Sequence, residues 1–166
     1  MWGSTTPNTA DECTWAKAPF NGGNTRYNES YFNSVMGTVC PNGILAKKYD
    51  AASQIMGGDW RMPTEADFQE LFKGTTIKWI EDYNGTGVSG RKFTSKADTS
   101  KYIFIPTAGS YNSGSVNGVG YYGYFWSSSL NTSTRSDVYY LKFYYRDCYM
   151  DYSLRCYGRS VRGVRK

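Results

Sequence analysis

The chain has 166 residues, 40% apolar and 20% charged, enough for one domain with a real core. It contains no His, which excludes Ser-His-Asp and Cys-His catalysis, His-bound zinc and an imidazole pH switch. The net charge of +5 is concentrated: residues 127–166 hold eight Lys and Arg against three Asp, with seven of the 16 Tyr, while residues 1–126 balance.

Residues 1–43 read as irregular, because Pro7, Pro19, Pro41 and Gly22-Gly23 stand among many Asn, Ser and Thr. A first helix is predicted over Leu45 to Met56, with Ala51, Ala52, Ile55 and Met56 as its apolar face and Gly57-Gly58 as its stop. A second follows Pro63: Thr64 is a good N-cap, Asp67 completes the cap, Phe68, Leu71 and Phe72 face the core, and Gly74 ends it. From Thr75 the pattern changes to short strands and turns. Ile77 to Ile80 is a short apolar stretch, Asn84-Gly85 and Ser89-Gly90 are turns, and Tyr102 to Ile105 is a buried strand stopped by Pro106. Residues 108–123 read as a loop. Tyr124 to Ser128, Val138 to Tyr144 and Arg159 to Val164 read as strands. In the second of these, Leu141 and Phe143 are expected to face a core, with Tyr140, Lys142 and Tyr144 facing out. The expected architecture is a single α+β domain over residues 1–166, with two helices early and antiparallel strands late.

No apolar run approaches the roughly 18 residues of a membrane span, and no basic patch with an apolar stretch marks a signal peptide. Cys13, Cys40, Cys148 and Cys156 include no C-x2-C pair for zinc. They allow two disulfides, with Cys13–Cys40 the pairing to consider outside the cytoplasm; four free thiols is the alternative. The basic, Tyr-rich end has the composition to stack on nucleic acid, but it lacks the fingerprint of any recognised module, and no nucleic-acid partner is expected.

Six segments together carry a family resemblance: Trp2-Gly3, Asp50-Ala51-Ala52, Gly57-Gly58-Asp59-Trp60-Arg61-Met62-Pro63-Thr64-Glu65, Ile105-Pro106-Thr107-Ala108-Gly109, Gly123 to Ser129, and Arg159 to Val164. In order and spacing the chain resembles the Fibrobacter succinogenes major paralogous domain, a family common in gut Bacteroidetes. The resemblance implies a C-type lectin-like fold of the formylglycine-generating-enzyme lineage. It also implies an opening strand ahead of Trp2, for which this sequence shows no counterpart.

The C-terminal segment further resembles the variable region of proteins diversified by retroelements. A framework of Trp126-Ser127-Ser128, Tyr139, Leu141, Phe143, Met150, Arg155, Gly158, Ser160-Val161-Arg162 and Val164 is interrupted by scattered residues. These are Arg135, Asp137, Tyr140, Lys142, Tyr144, Arg146, Asp147, Tyr149, Asp151, Tyr152, Ser153, Leu154, Tyr157 and Arg159, the candidate ligand-binding set. Error-prone copying of an AAC codon reaches Tyr, Asp, Ser, Leu, Cys, Thr and Arg; Lys142 lies outside that reach. Tyr, Ser, Asp and Arg at exposed positions are a binding vocabulary, as in antibody loops. Trp60, Trp126, Phe104 and Leu141 are expected in the core. Arg61 and Arg162 are expected to bond carbonyls or carboxylates, with Asp59 and Glu65 as candidate partners.

The reading is a non-enzymatic recognition domain without cofactor, monomeric, displaying residues of about 131–159 to a protein or glycan on another cell. It would stand at the cell surface or on a virion, at the tip of a tail fibre or pilus. The alternative is a fixed module of the same family that binds polysaccharide or serves a structural role. Formylglycine-generating relatives use a late cysteine pair with copper, but the spacing of Cys148 and Cys156 is wide and no other motif supports that chemistry. The calcium triplets of lectins are missing, and Asp137, Asp147 and Asp151 do not resemble a calcium loop.

Overall fold

The polar N-terminal stretch contains a helix that its composition hides. In the computed structural model, which describes residues 1–165, α1 spans Glu29–Val39. Asn28 caps it by accepting from the Tyr31 amide, and Phe32 and Val39 are buried. The spacing Phe32, Val35, Met36, Val39 was the available signal. The helix expected from Leu45 is shorter: α2 spans only Ala51–Met56, behind a 3-10 turn at Lys47–Tyr49. Asp50 is the reason. Its carboxylate accepts from the Ser53 amide at 2.9 Å and from the Met62 amide at 2.8 Å, which fixes the helix start. Leu45 is instead drawn to the Ser128 carbonyl, at 2.9 Å. α3 spans Glu65–Gly74 with the Thr64–Asp67 capping box as expected.

The strands form three small antiparallel sheets. The first is β1 (Thr75–Ile80), β2 (Gly90–Ser95) and β3 (Tyr102–Pro106). The second places β4 (Ser110–Asn112) between β5 (Ser115–Asn117) and β9 (Gly158–Arg159); β4 and β5 lie inside what reads from sequence as a loop. The third is β6 (Gly123–Leu130), β7 (Asp137–Phe143) and β8 (Cys148–Leu154). The strand expected over 159–164 is reduced to β9 and two bridges, Phe125–Ser160 and Arg61–Val164. Among the described residues the fold is therefore α+β with three α-helices rather than two.

The third sheet has a core on each face. Alternation along β7 sends Val138 and Tyr140 one way and Leu141 and Phe143 the other. Val138, Tyr140 and Trp126 pack with Trp2, Phe32, Val39 and Leu45. Leu141, Phe143 and Phe125 pack with Phe68 of α3, Phe93 and Ile105. Each such side chain contributes roughly 1.5–3 kcal/mol by leaving water. Trp126 and Leu141 are core as expected; Trp60 and Phe104 are only half-buried, Phe104 stacking on Tyr83 at 3.9 Å. Arg61 pairs with Asp67 at 2.6 and 2.8 Å instead of Asp59 or Glu65, and Arg162 is exposed.

Candidate ligand-binding face

The two cores cover the third sheet diagonally, so each face is buried along one half and open along the other. The strand register sorts the expected residues accordingly. Across β6, β7 and β8, Tyr124 pairs with Lys142 and Lys142 with Tyr149; in the next row Trp126 pairs with Tyr140 and Tyr140 with Asp151. These side chains share the first face, as does Ser153, opposite Val138. The second face carries Asp137 opposite Leu154 and Tyr139 opposite Tyr152. Tyr139 and Tyr152 meet edge to face with centroids 6.1 Å apart. The expected set is thus not one patch. Tyr149 and Tyr152 point to opposite sides of β8.

The open half of the first face is a tyrosine cluster around a charged pair. Lys142 Nζ lies 3.6 Å from Asp151 Oδ2 and 5.5 Å from the Tyr149 ring centre. The Tyr140 hydroxyl donates to the same Asp151 oxygen at 2.9 Å, and the Tyr152 amide donates to Oδ1 at 2.9 Å. Tyr122 lies near-parallel to Tyr124 at 5.8 Å and tilted against Tyr144, also at 5.8 Å. Beyond them the chain turns at Tyr144–Asp147, where Tyr145, Arg146 and Asp147 are exposed. The Arg146 guanidinium lies 5.1 Å from the Tyr145 ring centre, and Asp147 accepts from the Cys148 amide at 2.7 Å. Tyr145, 56% exposed, stands outside the expected set, as does Tyr122. The signal for Tyr145 was its place in an uninterrupted Tyr-Tyr-Arg-Asp turn.

Of the expected contact residues, Tyr140 is buried and Arg159 is half-buried over it. Tyr140 is 4% exposed, contrary to its expected outward position, because Trp126, Tyr124 and Arg159 cover it. Burial, with the bond to Asp151, pushes its phenol up to about 12. Arg159 sits 3.6 Å from the Tyr140 ring centre and 4.9 Å from those of Tyr124 and Trp126. Its Nε and Nη1 are buried without a hydrogen-bond partner, and burial lowers its pKa. Arg159 fills an aromatic cage of this chain. Tyr157 packs partly buried against the first core.

The remaining expected residues frame the far end. Arg135 Nη1 donates to Asn33 Oδ1 of α1 at 2.7 Å. Asp137 accepts from Ser136 Oγ at 3.0 Å, and burial raises its carboxyl. Leu154 and Ser153 are half-buried. Arg155, by contrast, is wholly buried; it donates to the Pro19 and Phe20 carbonyls and lies 4.3 Å from the Phe32 ring centre.

All four cysteines are free thiols, so the Cys13–Cys40 bridge is not formed. Cys148 is the first residue of β8, and Cys156 lies two residues past the strand's end at Leu154. At about 3.3 Å per residue the strand that separates them is roughly 20 Å long. Burial first of all pushes Cys148 up to about 12 and Cys156 up to about 11, away from thiolate chemistry. No His, Cys, Asp and Glu cluster suited to a metal occurs among the described residues. A cavity of about 440 Å³ opens elsewhere, between the N-terminal loop, Ile55, Val116, Val119 and Val161; of the expected set only Arg159 lines it. No helix among the described residues is long and apolar enough to cross a membrane. Comparison with known protein families, curated proteins and solved structures finds no match to this chain.

Proposed function

We propose that this chain is a non-enzymatic recognition domain with a C-type lectin-like fold. Its first face and adjoining turn bind a macromolecule, protein or glycan, on another cell, and retroelement copying diversifies the displayed residues. The observation that carries the reading is the open half of the first face. There Tyr122, Tyr124, Tyr144 and Tyr149 surround Lys142 and Asp151 on a sheet whose opposite side is core. Tyrosines offer large amphipathic contacts with few rotors, and a rigid sheet beneath them lowers the ordering cost of binding.

The test is binding of the purified domain to protein and glycan arrays, repeated with Tyr149→Ala. Retained binding in the variant rejects this face as the site. The diversification half is tested separately in the flanking DNA. A near-copy of the stretch encoding 127–166, differing only at its adenines and lying beside a reverse transcriptase, is the expected finding. Its absence leaves a fixed binding module.

A further inference from the structure

The turn at Tyr144–Asp147 is held from the other sheet by one buried arginine. Arg91 stands on β2, the middle strand of its sheet, with Trp79 and Ile105 as its ladder neighbours. It is 7% exposed, and its guanidinium lies 5.8 Å from the Trp79 ring centre. Nη2 donates to the Tyr144 carbonyl at 2.7 Å and to the Tyr145 carbonyl at 3.2 Å. Both acceptors are backbone atoms. The turn's own closing bond, from the Tyr144 amide to the Asp147 carbonyl at 3.0 Å, is also backbone to backbone. The side chains of Tyr145 and Arg146 take no part in these bonds and point to solvent.

We propose that Arg91 is a positioning residue for the displayed turn. It grips the backbone and thereby fixes where the turn's side chains stand, whatever those side chains are. The functional meaning rests on the recognition reading above; the mechanical claim does not. A carbonyl is present at every residue, so this anchor survives replacement of Tyr145 or Arg146. An anchor made through a side chain would not. Arginine suits the task because its planar head keeps its charge when buried and holds fixed donor directions; a lysine ammonium is more strongly hydrated and shifts its pKa readily in such a place.

Hydrogen exchange read by mass spectrometry over residues 143–149 tests this without any ligand. Arg91→Ala should speed exchange there about tenfold or more, the loss expected when a charge-assisted anchor to the turn is removed. Amides of α3 and β1 should keep their protection. Arg91→Lys retains an aliphatic stem and the charge but not the guanidinium's fixed donors, and should loosen the same segment selectively. The double variant Tyr145→Ser, Arg146→Ser should leave exchange over 143–149 within about twofold of the wild type. Unchanged exchange in either Arg91 variant overturns the proposal. So does loosening by the Tyr145, Arg146 variant equal to that of Arg91→Ala. Global unfolding of both Arg91 variants overturns it as well, because Arg91 would then hold the core rather than the turn. Failure of the domain to bind on arrays, with the turn still pinned by Arg91, would count against the recognition reading alone.

Discussion

The two faces of the β6–β7–β8 sheet present tyrosine in different settings. On the first face Tyr140 is roofed by Arg159, while Tyr149 stands beside Lys142 at the open end. On the second, Tyr139 and Tyr152 lean on each other at the opposite end, outside the core that holds Leu141 and Phe143. One strand thus carries both buried and displayed tyrosines. Which core reaches that far along the strand decides between them, and residue type does not. The first face adds neighbouring tyrosines from β6 and from the 144–147 turn. That makes it the larger cluster of neighbouring tyrosines.

The largest expected effect tests the first core, on which that face rests. Arg155→Ala removes a wholly buried side chain, its bonds to Pro19 and Phe20 and its contacts with Phe32. It should cost about 3 kcal/mol or more in urea unfolding. Amide exchange should rise first in α1 and around Trp2, with α3 less affected. Equal loosening of α1 and α3 would show that the two cores behave as one unit.

Binding should separate the faces directly. Once an array identifies a ligand, Tyr149→Ala should weaken it by about 1–4 kcal/mol, the range of an aromatic hot spot. Tyr152→Ala, 52% exposed on the other face, should change affinity by less than about 0.5 kcal/mol, like an ordinary surface substitution. The reverse order moves the site to the second face. A smaller effect concerns the residue between them. Tyr140→Phe deletes the hydroxyl that donates to Asp151 and should lower stability by about 1–2 kcal/mol. No loss would show that Lys142 and the Tyr152 amide alone satisfy that carboxylate.

Much of this arrangement was legible in the sequence. Leu141 and Phe143 announced their core by alternation, and Thr64 with Asp67 announced α3 by cap chemistry. What was hidden is physically specific. Alternation gives two faces, but it does not say that a second core would rise against the first, so Tyr140 read as outward. At the start of β2 only the Ser89-Gly90 turn was legible; Arg91 to Ser95, with its Arg and Lys, suggested no strand, and its central place depends on partners on both sides. β8 mixes Cys148, Met150 and Leu154 with Asp151 and Ser153, a pattern without a continuous apolar face, and its strand character comes from the β7 ladder. Arg91 gave no signal at all. Its acceptors are carbonyls 53 and 54 residues away, and backbone atoms leave no mark in a sequence.

The smallest effect sharpens the contrast from the second side. Asp67 caps α3, which covers the second core, and Arg61 grips its carboxylate at 2.6 and 2.8 Å. That bond, with the Thr64 hydroxyl and amide and against the effect of burial, holds the carboxyl well below its ordinary 3.8. The folded state therefore binds this proton less readily than the unfolded chain. The stabilisation is complete above the unfolded value and is lost as pH falls through the folded one. Asp67→Asn should lower stability at pH 7 by about 1 kcal/mol, as expected for a weakened cap and a partly exposed pair. It should also flatten the acid limb of the stability curve below about pH 4. Hydrogen exchange at low pH should then show α3 loosening before α1 in the wild type, with that order weakened in the variant. An acid limb as steep in Asp67→Asn as in the wild type would assign the acid sensitivity to another carboxylate, and the second core would lose its claim to be the acid-labile half.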